Sequence, residues 1–354
     1  MNESQNAEAH QAFRQGARGA GEKKLIDTSK MKSTDIDFKQ RLSLSVFYLM
    51  ILSALIVSCD SRRQKADASF NTKVAHPAYG NEHPKVLFDE AHHNIHTASG
   101  LYKPFADLIT NDGYQVTRNK EPFSQKTLGG YCVLIIANAL GVNESNDDPA
   151  FTEDECNTVR DWVQASGSLL LITDHAPTGA AAENLAKRFG VEMSKGMTED
   201  STNYDNESGD TSQLVFTRGN GLLLEHPIAQ GRDASEKINK VMTFTGQSLK
   251  APENGAALLK LGESARNRAA MIKVEKSGGD TRVLINYGTP VPATGYAQAI
   301  ALQFDKGRVV VLGEAAMLTA QLDGKTNRPF GMNVQGIDNR QFALNIMHWL
   351  TRLL

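Results

Sequence analysis

The chain has 354 residues, enough to bury a large core. Hydrophobic residues at 40% and charged residues at 22% describe an ordinary globular protein. The formal net charge of -2 provides no electrostatic footprint for nucleic acid or an anionic membrane surface, so no nucleic-acid partner is expected.

Residues 1–37 are polar and lack apolar periodicity. Lys39 and Arg41 then precede an apolar stretch from Leu42 to Val57 that ends in Ser58-Cys59. A basic flank, a short apolar segment and a small residue before a cleavage point form a secretory signal. Ile56-Val57-Ser58-Cys59 resembles a bacterial lipobox. That resemblance implies a lipidated Cys59 as the mature N-terminus, membrane attachment through palmitate-type acyl chains, and a place on the periplasmic face of the cell envelope. Two chains anchor firmly where one binds marginally. An uncleaved membrane-spanning anchor is the alternative, and the apolar stretch is just long enough for it. Met31 offers a second natural start. Residues 1–58 therefore read as an extension with a signal peptide, 59–84 as a flexible tether, and 85–354 as the folded domain.

Within that domain Val86-Leu87-Phe88 is a short buried strand (85–90) that breaks into Asp89-Glu90-Ala91-His92-His93-Asn94. Helical spacing follows over 99–111, with Gly113 as its stop. A strand is expected at 114–117 and a central one at 131–139. Thr152 with Glu155 is a capping-box start, and the helix it opens ends at Gly167. Residues 168–173 form another buried strand, which runs into Asp174-His175. A helix over 179–189 follows. Continuous apolar strands alternating with helices predict an α/β fold: a doubly wound, mostly parallel sheet with right-handed crossovers.

Residues 194–212 read as a long polar surface loop. From 213 onward the pattern is strand-rich, giving a β-rich second half. Asp305-Lys306-Gly307 is a turn into the strand 308–312, which ends in Gly313-Glu314. A short helix is expected over 314–322 and a loop over 324–337. The last helix is capped by Asp338. Cys132 and Cys156 fall at opposite ends of the sheet, about 20 Å apart at about 3.3 Å per strand residue. A disulfide needs Cα atoms within about 7 Å, so both are expected as free, buried thiols.

Three strands thus end in polar groups on one predicted rim: Asp89, Glu90, His92 and His93; Asp174 and His175; and Glu314. Ligands bind at that rim in open α/β sheets. A divalent metal on His92 and His93 with carboxylates would activate water, although adjacent histidines point apart on regular backbone. Metal-free acid/base work would use Asp89, Glu90, His93 and His175. Asn94, Asp174 and Glu314 are candidate ligand-binding groups. So are Asn333 and Arg340 beside the last helix, where an anion would be favoured. Alternatively these side chains cap turns and tie loops together. No Gly-x-Ser-x-Gly elbow and no phosphate-binding glycine loop occurs at a strand–helix junction.

Val86 to Asn94, Asp174-His175-Ala176-Pro177 and Asp338-Asn339-Arg340-Gln341-Phe342 together resemble a bacterial domain-of-unknown-function family numbered 4350. The resemblance covers about residues 85–353. It implies a flavodoxin-type fold of the class I glutamine amidotransferase-like kind. The turn after the 168–173 strand carries no cysteine, so thiol-based glutamine hydrolysis is not expected. The resulting reading is an exported envelope module that binds a small carbohydrate or peptide-like ligand. The alternative is a hydrolase built on the Asp/Glu/His cluster.

Overall fold

A computed structural model describes residues 64–142, 148–277 and 280–354; the side chains of 274–283 are excluded. The proposed signal peptide and Cys59 lie outside the described residues. Among the described residues no helix is long and apolar enough to cross a membrane.

The protein is a mixed α/β structure built on a nine-stranded sheet. Five strands are parallel neighbours, in the order Gln115–Asn119, Lys85–Asp89, Val133–Ala137, Ser168–Ile172 and Gly307–Leu312. The sheet continues antiparallel through Ala297–Phe304, Leu249–Lys250 and Glu192–Met193, with Gly255–Lys260 also paired to Ala297–Phe304. The parallel half is covered on both faces, as its continuous apolar runs require. Side chains alternate across it. Val86, Phe88, Ile135, Leu170 and Val310 pack into one core cluster with helices Lys103–Asn111 and Asn339–Leu350. Leu87, Leu134, Ile136, Leu171 and Val311 pack into the other, against helix Glu153–Gln164.

Several expected boundaries shift. Helix Lys103–Asn111 begins four residues late, with 99–102 as turn. The small-residue helix splits into Thr178–Ala181 and Glu183–Lys187. Residues 194–212 are not one loop but contain strands Met197–Asp200 and Tyr204–Asp205. Met197–Asp200 extends the sheet of the long hairpin Ala265–Ser277 and Asp280–Pro292. Polar composition misled there because these strands belong to small sheets with one wet face, where alternate polar residues are tolerated. Only a 3-10 turn, Ala316–Leu318, and strand Ala320–Leu322 occupy the span expected as a helix. The 324–337 span contains a strand, Pro329–Gly331.

The stretch expected as a free tether is docked from Lys65 onward. Lys65–Ala66 pairs with Ala320–Leu322. Asn333 donates to Asp67 at 3.0 Å, Arg340 to Lys73 O at 2.6 Å, and Ala78 N to Asp112 at 2.8 Å. The last two bonds satisfy backbone groups that polar composition alone would assign to water.

Gly307 opens the last parallel strand against the end of the 153–164 helix. A Cβ there would stand 2.1 Å from Val163 O and 2.4 Å from Gly167 O, both backbone atoms that cannot swing away. Gly307→Ala should therefore cost about 1–3 kcal/mol, the usual penalty of overpacking. A urea unfolding midpoint equal to wild type would refute this close approach.

Candidate functional site

Asp89, at the carboxyl end of its strand, is fully buried. Its carboxylate faces His92 Nδ1 at 2.9 and 3.0 Å and accepts from Asn94 at 3.1 Å and Asn119 at 3.3 Å. The other ring nitrogen of His92 lies 2.9 Å from Glu155 Oε1. Glu155 also accepts from Phe123 N and closes the capping box with Thr152. Phe123 and Phe151 flank the ring, with centroids 4.5 and 4.8 Å away. Burial opposes the charge on His92, but bonding to Asp89 and Glu155 outweighs it and raises the imidazole above its ordinary value. Burial likewise opposes ionisation of Glu155, while His92, Thr152 and Phe123 together hold it below the ordinary carboxylate range.

This cluster braces the strand end against the 153–164 helix, an arrangement that does not suit the metal expected on His92 and His93. Both ring nitrogens of His92 are bonded to carboxylates, so neither offers a lone pair to a metal. Among the described residues no group of three or more His, Cys, Asp or Glu side chains is arranged to hold one. His93 points outward, at φ 47°, and does not join the cluster. Glu90 is clasped by Arg118 at 2.7 Å and Lys120 at 3.0 Å and accepts from Ala98 N at 3.0 Å. Burial works against its charge, yet those two cations hold it below its ordinary value.

The strand ends do share one rim, and a second cluster occupies it beside the first. Asn138, at φ 48° after the 133–137 strand, connects the two. Its Oδ1 accepts Asp174 N at 2.9 Å, and its Nδ2 lies 2.9 Å from His96 Nδ1. An amide nitrogen only donates, so His96 Nδ1 is unprotonated. Burial accordingly pushes His96 down to about 4, and the ring is neutral.

Glu314 is fully buried and caps the 3-10 turn by accepting from Ala316 N at 2.6 Å and Met317 N at 2.7 Å. Burial, then the charge of Asp174, pushes Glu314 well above the ordinary carboxylate range; the backbone N–H groups offset part of this. Burial also raises Asp174, against the pull of His175. Burial and mutual repulsion therefore both favour the protonated forms of these two carboxyls.

Asp174 and His175 reach solvent, with side chains 18% and 31% exposed. His175 Nδ1 lies 2.8 Å from Ala176 O, an acceptor, so that nitrogen carries a proton and Nε2 faces Asp174 at 3.8 Å. The long hairpin brings Tyr287 over the pair, with its hydroxyl 3.5 Å from His175 Nδ1.

The other sequence candidates serve the scaffold. Asn94 donates to Asp89 and to Ala137 O. Asn333 bonds Asp67 and Gln321 O, and Arg340 bonds the backbone of Asn71 and Lys73. These two are therefore docking groups for the N-terminal strap, not an anion site. Asp338 does not cap its helix; its carboxylate accepts from Asn239 N and Lys240 N. Cys132 and Cys156 are free, as expected. Cys156 is buried, and burial pushes its thiol up to about 12, whereas Cys132 is only half-buried.

Sequence reading missed His96, Asn138, Glu155 and Tyr287. Glu155 was visible as a cap but not as a partner of His92. Tyr287 gave no signal, because it reaches the rim only through the hairpin.

No protein-family model matches the chain, and no curated protein matches it. Among solved structures, the mmIFT52 N-terminal domain is similar over 75% of this chain and 97% of its own, with 13% identity and a TM-score of 0.50. That likeness is one of fold. A cytoplasmic protein of Salmonella typhimurium LT2 is 16% identical over 75% of this chain and 99% of its own, at a TM-score of 0.44. A ThuA-like protein of Bacteroides uniformis is 14% identical over 80% of this chain and 95% of its own, at a TM-score of 0.37.

Removing the imidazole from between two buried carboxylates leaves uncompensated charge. His92→Ala should cost about 3–5 kcal/mol in chemical denaturation. The contribution of the raised His92 is fully present below its ordinary value and is lost as pH rises through the folded one. The wild-type advantage over the variant should therefore shrink on going to alkaline pH. A pH-independent difference would contradict the assignment of a charged ring.

Proposed function

We propose that the protein is a lipid-anchored binding module of the bacterial cell envelope with an amidotransferase-like fold, as its resemblance to family 4350 implies. Its ligand site is the exposed rim at Asp174, His175 and Tyr287, with the buried Glu314 behind it, and takes a small carbohydrate or peptide-like molecule rich in hydroxyl or amide groups. One observation carries this reading: at the carboxyl rim of the sheet, the partly exposed carboxyl of Asp174 stands beside the partly exposed imidazole of His175 and the phenol of Tyr287. Such a set donates and accepts hydrogen bonds without a fixed charge pattern, which suits polyols and amides. No cysteine or activated serine stands with them, so nothing supports a covalent route. A hydrolase is the second reading, because a carboxyl raised by burial beside another is the arrangement general acids use.

Titrating the full chain in detergent with a panel of oligosaccharides and peptidoglycan fragments separates the two readings. Binding without turnover, weakened at least about tenfold (1.4 kcal/mol) in Asp174→Asn and His175→Ala, is expected. Released cleavage product would replace binding with hydrolysis, and unaltered affinity in both variants would remove the cleft. Because Asp174 donates only while it holds its proton, affinity should fall as pH rises through its raised value. For anchoring, Cys59→Ala should abolish metabolic labelling with palmitate; unchanged labelling would end the lipoprotein reading.

A further inference from the structure

A second recess, independent of that cleft, lies between two of the small sheets. One wall is the sheet of Lys240–Met242, Asp210–Thr217 and Tyr204–Asp205; the other is the hairpin Ala320–Leu322 with Pro329–Gly331 and its turn. Its volume is about 350 Å³, within the range of small-molecule sites. The floor is apolar. The Phe244 and Phe330 rings meet with centroids 4.5 Å apart, and Val334 packs on the same patch. Around this floor stand Lys240, Arg328 and Glu207, together with Asp205, whose carboxylate already accepts from Ser208 N at 3.0 Å.

The charges at the rim differ in how far they are already engaged. Asp323 beside them is consumed by its own turn, accepting from Lys325 N, Thr326 N and the Thr326 hydroxyl. Glu90, Glu183, Glu199 and Glu236, by contrast, are each paired with a cation. Lys240, Arg328 and Glu207 form no side-chain hydrogen bond or ion pair with any of the described residues.

These features select among ligand classes. A neutral sugar would stack on the phenyl rings but make no use of the two cations and the carboxylate, which stay in water at the rim. A simple anion would satisfy Lys240 and Arg328 but meet Glu207 and an apolar floor. A purely apolar molecule would cover the charges. A molecule with a carboxylate, an ammonium and an apolar group satisfies all three surfaces together. We propose that this recess binds a small zwitterion with an apolar side group, the chemistry of a free amino acid or dipeptide. Its carboxylate pairs with Lys240 and Arg328, its ammonium with Glu207, and its side group lies on Phe244 and Phe330.

Calorimetric titration of the full chain in detergent with L-phenylalanine and with the dipeptide Gly-Phe tests this. Binding of at least one with a Kd below about 1 mM is expected. Phenethylamine, which lacks the carboxylate, hydrocinnamate, which lacks the ammonium, and glycine, which lacks the side group, should each bind at least about tenfold more weakly. The double variant Lys240→Glu/Arg328→Glu and the single variant Phe330→Ser should lose binding, while Phe330→Tyr keeps it. Thermal melts of each variant verify that the fold persists. No binding of either zwitterion overturns the proposal. So does hydrocinnamate binding as tightly as phenylalanine, or a folded charge-reversal variant with unchanged affinity.

Discussion

The imidazolium of His92, clamped between Asp89 and Glu155, is the contact on which the functional edge of the sheet depends. It joins the end of the first parallel strand to the start of the 153–164 helix, two segments 63 residues apart in sequence. A buried ion cluster of this kind contributes little net stability compared with apolar packing, but breaking it is expensive. Its structural value is positional. With the ring held, the 89–98 loop is closed by Leu140 N donating to His92 O and by Ile95 N donating to Asn138 O. Asn138 is then set in its left-handed conformation, from which its amide reaches both His96 and Asp174.

Two histidines four residues apart therefore end in opposite states. His92 has two carboxylates within 3 Å and is held charged; His96 has an amide donor and the Tyr102 ring, and is held neutral. The difference matters for Asp174 and Glu314. A cation at His96 would stabilise their ionised forms, whereas a neutral ring leaves burial and mutual repulsion to set the pair. The fully buried Tyr102 hydroxyl donates to Ala315 O at 2.6 Å, so it too contributes no charge to the pair.

The parallel half of the fold was legible because strands covered on both faces must be apolar throughout, and Val133 to Ala137 or Leu169 to Ile172 can be little else. The capping box at Thr152 was legible because both partners lie within one turn. The polar rim was legible for the same reason of order: neighbouring parallel strands end on one edge, so 89, 174 and 314 must share it. What each side chain does there was not. The sequence pattern around His92 suits a metal ligand as well as it suits a brace, and the choice was made by Glu155, which lies far along the chain. The shortest strands of the small sheets, Met197–Asp200 and Tyr204–Asp205, were illegible because two to four residues carry too few alternations to establish a period. The strap at 65–79 looked like a linker because its backbone, not its side chains, makes most of the bonds.

That strap constrains any anchored arrangement. On the lipoprotein reading, the lipid sits on Cys59, while the chain is paired to the body from Lys65. Six residues of fully extended chain span at most about 20 Å. The body would then stand close over the membrane surface instead of swinging on the free 26-residue linker that the composition suggested. Lys65 pairs with Leu322, one residue from the turn that frames the recess of Phe244 and Phe330. Anchoring through Cys59 would therefore keep the start of the strap within reach of the membrane surface. The volume of the recess itself suits small solutes, whereas the rim at Asp174 is not tied to the strap by any of these bonds.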